Sequence, residues 1–137
     1  MIDDPRLDID LAVRKAWTEK LFDIGAVYTA IVNDTKGARP MKWKAEQLKT
    51  QKARIDETAM AEILEINRMY DELLSRTSGL YREVSNWMGP ITADQQSQLN
   101  YYTTVQQSLS KRIDQLQSVH LPKWNKKLPK ENRFNLD

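Results

Sequence analysis

The sequence predicts an all-α protein, an antiparallel bundle of three long helices with one or two short accessory helices. Apolar residues recur at steps of three and four along most of the chain, the spacing that places them on one face of a helix. The 4 glycines and 5 prolines are few, and most of them lie between these apolar stripes. The chain of 137 residues suits one domain, 1–137, that can bury a core unaided.

The first helix is predicted over about residues 10–34, after a lead-in segment at 1–9. Asp8 or Asp10 can cap its start by accepting a bond from a free backbone N–H. The run Lys-Gly-Ala-Arg-Pro at 36–40 predicts its end, because proline lacks the N–H that a helix interior needs. Its apolar stripe consists of Val13, Trp17, Leu21, Ile24, Tyr28 and Ile31.

The second helix is predicted over about residues 57–88, with Asp56 as its cap. Its stripe continues through Gly79, although glycine in a helix interior costs about 1 kcal/mol relative to alanine. The regular spacing therefore favours one unbroken helix. The stripe consists of Ala59, Ile63, Ile66, Tyr70, Leu73, Thr77, Leu80, Val84 and Trp87.

The third helix follows the turn at Gly89-Pro90. Thr92 and Gln95 have the spacing of a capping box, in which each side chain bonds the other residue's backbone N–H. The helix should reach about His120, before Pro122 kinks the chain. Its stripe consists of Leu99, Tyr102, Gln106, Leu109, Ile113, Leu116 and His120.

Three segments lie outside these helices. Residues 41–55, within a loop or short-helix region at 36–56, form either a separate short helix or an extension of the second helix. A last short helix can carry Trp124 and Leu128. The polar tail at 129–137 is predicted to be loose.

Charge is distributed in blocks, although the net charge is only +2. Residues 1–35 and 55–98 carry −3 and −5, whereas 36–54 and 99–137 carry +6 and +4. This alternation predicts antiparallel helices that lie side by side with complementary charge. The basic segments 36–54 and 111–133 are also a candidate surface for a protein helix or nucleic acid, although the acidic second helix argues against nucleic acid.

The sequence contains no recognisable catalytic, metal or cofactor site. It has 0 cysteines, and its 1 histidine, His120, has no acidic residue three positions before it, which excludes the Glu-x-x-His motif of di-iron bundles. Asp3, Asp4, Asp8 and Asp10 lack the spacing of a calcium loop. No apolar run approaches the ~18 residues of a membrane span, and the N-terminus has no signal-peptide pattern. We therefore expect a non-enzymatic protein without a cofactor.

Four apolar residues outside the long stripes are the candidate partner contacts: Trp43, Leu48, Trp124 and Leu128. Tryptophan often anchors interfaces. If the four cluster on the surface, they form an apolar patch with a lysine rim, which is typical of an interaction site. Alternatively, segment 41–55 folds back and the four residues cap the end of the bundle.

Three local patterns resemble a known family. Asp4-Pro5-Arg6-Leu7 precedes the first helix, and Pro90-Ile91-Thr92 with Gln95, Gln96 and Leu99 opens the third; Leu121-Pro122 with Asn125 and Leu128 lies near the end. In this order the chain resembles the helical C-terminal region of large secreted proteins built on sortilin-like, BNR-repeat β-propellers, often labelled glycosyl-hydrolase-like.

This resemblance implies an accessory module whose helices pack after the propeller, with Asp-Pro-Arg marking the exit from it. The implied partner is the β-propeller of the same parent protein, or another protein, and the implied location is extracytoplasmic. The chain departs from the family at 78–87, which reads as helix rather than as an Asn/Pro-rich stretch, and it contains no propeller repeat. No active-site residue is therefore carried over, and the oligomeric state is left open. The alternative is a free-standing adaptor or regulatory bundle.

Overall fold

A computed structural model describes the backbone of residues 5–87 and 89–136, and the side chains of 11–87 and 89–136. The helices are α1 (Pro5–Thr50), α2 (Glu57–Trp87), α3 (Ala93–Gln115) and α4 (Leu121–Asn125). A π-helical turn (Leu116–His120) joins α3 to α4, and a 3-10 turn (Lys130–Asn132) lies near the C-terminus. The described residues contain no strand, which confirms the predicted all-α bundle with its short accessory helix.

Side-chain bonds between α1 and α2 show that the two helices are antiparallel. The Trp17 indole N–H donates to the carbonyl of Val84 at 2.7 Å. Nearer the other end, the Tyr70 hydroxyl donates to Asp34 at 3.0 Å. The α2 residue number falls as the α1 number rises, so the start of α1 lies beside the end of α2.

The predicted end of the first helix at 36–40 is wrong, because α1 continues through Gly37 and Pro40 to Thr50. Segment 41–55 is therefore neither a separate helix nor part of α2; most of it is the last turns of α1. Side chains at Ile24, Ile31, Ala38 and Ala45, spaced seven residues apart, are fully buried. This heptad spacing, typical of helices packed side by side, runs across the proline without a shift. The burial of this stripe offsets the hydrogen bond that Pro40 cannot make.

The turn between α1 and α2 is a Schellman motif. The N–H of Ala53 donates to the carbonyl of Leu48 at 2.9 Å, and the N–H of Lys52 donates to Lys49 at 3.1 Å. Lys52 has a φ of 56°, a left-handed conformation that glycine usually adopts at this position. The α2 helix then begins at Glu57, and Asp56 caps it as predicted by accepting from the N–H of Ala59 at 3.2 Å.

The predicted stripe of α2 is confirmed from Ala59 to Val84, all of whose members are buried, but Trp87 is 61% exposed. The capping box at the start of α3 is also confirmed. The Gln95 N–H donates to the Thr92 hydroxyl at 3.0 Å, and the Thr92 N–H donates to the Gln95 side chain at 3.0 Å.

The π-helical turn shifts the buried stripe of the third helix by one residue. Leu116 is buried, and the next buried residue is Leu121, five positions on rather than four. The N–H of Leu121 donates to the carbonyl of Leu116, which closes the wider turn. His120, predicted to lie on the stripe, is therefore only half-buried, and Pro122 lies in the first turn of α4.

The prediction of a loose tail at 129–137 is wrong for the described residues. Phe134 is buried, and its ring centroid lies 4.8 Å from that of Trp124. The Asn125 amide donates to the carbonyl of Phe134 at 3.1 Å and accepts from its N–H at 2.8 Å. This reciprocal pair satisfies both backbone groups of Phe134 and holds the tail against α4.

Candidate interaction surfaces

The structure separates the four predicted partner contacts. Leu48 and Trp124 are completely buried and Leu128 is 3% exposed, whereas Trp43 is 64% exposed. The Trp124 indole N–H donates to the carbonyl of Arg54 at 2.9 Å, which ties α4 to the turn after α1. Leu48, Trp124 and Leu128 therefore close one end of the bundle. The predicted exposed patch of four residues does not form, because three of its members belong to the core.

Trp43 is the one member of that set that remains available to a partner. Neither of the aromatic ring contacts among the described side chains involves it. The exposed fraction of its side chain makes it a surface tryptophan, and single exposed apolar residues are common on soluble proteins.

An exposed aromatic surface lies towards the end of the bundle opposite to the one that Leu48, Trp124 and Leu128 close. It lies between the first half of α1 and the second half of α2. Phe22 is 78% exposed, and Tyr81 and Tyr28 are 43% and 39% exposed. Small side chains lie between them. We call this surface the aromatic groove; its lining residues are Thr18, Leu21, Phe22, Gly25, Ala26, Tyr28, Thr29, Ser78 and Tyr81.

The groove is open because the chain covers α1 unevenly. None of the side chains from residue 11 to residue 23 is buried, whereas Ile24 and Ile31, further along α1, are fully buried. At Gly25, a Cβ would lie 3.9 Å from the Tyr81 ring, an ordinary van der Waals contact. The prediction that Tyr28 is a core residue is wrong. Val27, which has the heptad spacing from Met41, is partly buried against the core instead.

The turn after α2 adds another exposed aromatic residue at this end. The Trp87 indole N–H donates to the carbonyl of Pro90 at 3.3 Å, so the ring folds over the turn. A Cβ at Gly89 would lie only 2.6 Å from that indole nitrogen. Glycine is therefore required at residue 89 for Trp87 to keep this position.

Polar side chains inside the bundle form two layers that connect the helices. Asp34 accepts from the Tyr70 hydroxyl at 3.0 Å and from the Gln106 amide at 2.9 Å, which joins α1, α2 and α3. Burial, and then the hydrogen bond to Asp34, raise the pKa of the Tyr70 hydroxyl above its ordinary value. This hydroxyl is therefore held as a neutral donor.

The second polar layer surrounds Asn67, which is 1% exposed. Its amide donates to the carbonyls of Ala38 at 3.1 Å and Ile63 at 2.8 Å, and its oxygen accepts from Arg39 at 3.1 Å. Both layers use their polar groups to hold helices together.

The charge blocks pair across the helices as the sequence predicts. Arg39 of α1 forms an ion pair with Asp71 of α2, and Arg112 of α3 forms one with Glu62 of α2. These pairs bring the basic segments 36–54 and 111–133 to the same end of the bundle. Ion pairs within the chain therefore neutralise part of the positive charge of these segments.

The side chains of the four N-terminal aspartates that lack the calcium-loop spacing lie outside the described part of the chain. Asp3 and Asp4 lie outside this part altogether, and Asp8 and Asp10 lie in α1 at positions whose side chains are not described. Among the described side chains, no group of three or more His, Cys, Asp or Glu residues could hold a metal ion. No helix in the described part of the chain is long and apolar enough to cross a membrane.

Comparisons with protein-family models, with curated proteins and with solved structures find no match to this chain. The resemblance to the propeller-associated helical region therefore rests on the three short sequence patterns. In the structure, Leu121 and Leu128 are buried, and Asn125 holds Phe134 in place, so several residues of the third pattern have roles in the fold.

Proposed function

We propose that the chain is a non-catalytic interaction module that docks on a folded partner through the aromatic groove. The observation that carries this proposal is the set of three exposed aromatic side chains, Phe22, Tyr28 and Tyr81, around a floor of small residues. Following the resemblance, the partner is the β-propeller of a longer parent protein.

The physical chemistry of the groove supports this function. Burying a phenylalanine side chain stabilises a complex by about 1.5–3 kcal/mol, and Phe22 is the most exposed large apolar residue of the described chain. Aromatic residues are enriched in the centres of interfaces, and charged residues at the rim. Glu19 and Arg82, each next in sequence to a lining residue, are exposed and suit the rim.

The position of the groove supports a partner that precedes the chain in sequence. The aromatic groove and Trp87 lie towards the end of the bundle where α1 begins. The Asp4-Pro5-Arg6 pattern, which marks the propeller exit in the family that the chain resembles, directly precedes this end. A propeller upstream of α1 would thus lie near the uncovered surface.

The proposal that the module is non-catalytic is supported by how its buried polar groups are used. Asp34, Tyr70 and Asn67 are engaged in bonds between helices. The single histidine, His120, lies in the π-helical turn, which contributes no residue to either layer.

The test begins with the natural reading frame around this sequence. If the frame encodes a propeller upstream of residue 1, the propeller and the 137-residue chain are produced separately and their binding is measured by calorimetry. We expect Phe22→Ser to weaken binding by roughly tenfold or more, equivalent to about 1.4 kcal/mol. Because Phe22 is exposed, this substitution should change the folding stability of the chain little.

Trp43→Ser is the matched control, since Trp43 is 64% exposed and lies away from the aromatic groove. The control should bind the propeller as the unmodified chain does. The proposal fails if no propeller is encoded, if the two proteins do not bind, or if Trp43→Ser weakens binding while Phe22→Ser does not.

A further inference from the structure

A basic cleft lies towards the end of the bundle that α4 and the C-terminal tail close. Lys36 and Lys44 of α1 line one side, and Arg133 of the tail lines the other. These three cations come from the two basic segments, 36–54 and 111–133, which are far apart in sequence. None of the described residues that line this cleft is acidic.

The three cations are available to a ligand. Among the described side chains, none of Lys36, Lys44 and Arg133 forms an ion pair, whereas Arg39 and Arg112 do. Arg133 is nevertheless oriented, because its Nε donates to the carbonyl of Leu128 at 3.1 Å. This bond leaves the terminal nitrogens of its guanidinium free to bind a carboxylate.

The lining of the cleft is apolar between the cations. Met41, Leu121 and Phe134 contribute to it, each with at most 6% of its surface exposed. Gln117 adds an exposed amide that can donate or accept a hydrogen bond. An anion with an apolar part therefore suits this cleft better than an anion alone.

The spacing of the lysines indicates the shape of that ligand. Lys36 and Lys44 are eight residues apart on α1, which is about 12 Å along a helix axis. Residues i and i+4 of an extended peptide are about 13 Å apart, and residues i, i+2 and i+4 point to the same side. Two acidic residues flanking an apolar residue in this pattern would match the two lysines and the apolar floor.

We propose that this cleft binds a short acidic peptide segment in extended conformation, with a carboxylate towards each lysine and an apolar side chain between them. A nucleic-acid strand fits less well, because base stacking needs a free aromatic ring face, and the one aromatic residue among the described lining residues, Phe134, packs its ring against Trp124. The cleft and the aromatic groove share no lining residue, so the two proposals are independent.

The test uses the peptide acetyl-Glu-Ala-Leu-Ala-Glu-amide, titrated into the isotope-labelled chain and followed by NMR. We expect shifts at the amides of Lys36, Lys44 and Gln117. Replacing both Glu residues of the peptide by Gln, or its Leu by Ser, should weaken binding. The variant Lys36→Gln/Lys44→Gln/Arg133→Gln should bind the acidic peptide roughly tenfold more weakly or worse.

The matched control is Arg14→Gln/Lys15→Gln/Lys111→Gln, which removes the same charge at exposed positions outside the cleft. It should bind the peptide within about twofold of the unmodified chain, and both variants should unfold at a similar temperature. The proposal is overturned if both variants lose affinity equally, if the neutral peptide binds equally well, or if inorganic phosphate or an oligothymidylate binds the cleft more tightly than the peptide.

Discussion

At the scale of single residues, the backbone conformation of Lys52 is not optimised for stability. Lys52 adopts a left-handed conformation with a φ of 56°, at the position of the Schellman motif where glycine is usual. A non-glycine residue in this conformation carries a cost of about 1–2 kcal/mol. The exposed Lys52 side chain makes no ion pair among the described residues that would offset it.

Lys52→Gly should therefore raise the free energy of unfolding by about 1 kcal/mol. Urea denaturation measures the change. Lys49→Gly is the control, because Lys49 lies in the last turn of α1, where glycine should cost about 0.5–1 kcal/mol. Destabilisation by Lys52→Gly would contradict the described turn.

The raised pKa of the Tyr70 hydroxyl predicts that the free energy of unfolding depends on pH. Its burial and its hydrogen bond to Asp34 raise the pKa of its hydroxyl in the folded state, whereas in the unfolded chain the pKa is about 10. The folded state therefore binds the proton more tightly. The resulting stabilisation is present below about pH 10 and is lost as the pH rises above it, by up to about 1.4 kcal/mol per pH unit.

Tyr70→Phe removes this titrating group while keeping the ring. Between about pH 10 and pH 11, the unmodified chain should lose more unfolding free energy than the variant. Urea denaturation at both pH values measures the difference. Lysines and the other tyrosines titrate in both proteins, so parallel losses would mean that Tyr70 does not carry the effect.

At the scale of helices, α1 departs furthest from its predicted bounds. Proline usually breaks a helix interior, so Pro40 after Gly37 predicted an end that does not occur. Proline within a long helix is tolerated when tertiary packing holds the turns on both sides. The heptad spacing of Ile24, Ile31, Ala38 and Ala45 indicates that the helix continues past Pro40. This indication is weak in the sequence, because two of the four residues are small alanines.

Pro40→Ala should stabilise the protein by about 1–3 kcal/mol, since alanine restores a donor for the carbonyl of Lys36 and favours the helix. Pro40 is exposed, so its replacement should remove little packing. Thermal and urea denaturation measure the change. A loss of stability would contradict the continuous helix, because proline would be favoured only if the helix ended at residue 40.

The other helices show what a sequence pattern can and cannot establish. The stripe of α2 and the capping box of Thr92 and Gln95 depend on neighbours within a few turns, and they were predicted correctly apart from Trp87. The tail was not, because Phe134 is held by Asn125 and Trp124 from α4. Contacts of this kind depend on tertiary packing rather than on local periodicity.

At the scale of the whole molecule, the two ends of the bundle differ. Trp124, Leu128 and Phe134 close one end with buried apolar side chains, whereas Phe22 and Trp87 are exposed towards the other. The sequence predicted that some tryptophan would be free for a partner, but assigned Trp124 to that set. The sequence did not indicate the aromatic groove, because Phe22 lies outside the predicted apolar stripe of α1.

This difference predicts opposite outcomes for two tryptophan variants. Trp124→Ala should cost about 3–5 kcal/mol of folding stability, as for a buried aromatic residue. Trp43→Ala should change it by less than about 0.5 kcal/mol, as for a surface position. Urea denaturation of both variants tests the assignment, which would be wrong if the two losses were similar.

The central claim, which rests on the proposed function, is that the first half of α1, covered only in part by the rest of the chain, binds a partner in the parent protein. Amide hydrogen exchange of the 137-residue chain and of the natural full-length polypeptide tests it most directly. In the isolated chain, amides at 11–23 should exchange faster than those at 31–48, where the α1 stripe is buried. In the full-length polypeptide, exchange at 11–23 should slow by about tenfold or more, equivalent to about 1.4 kcal/mol of added protection. Equal exchange at 11–23 in the two proteins would contradict the claim.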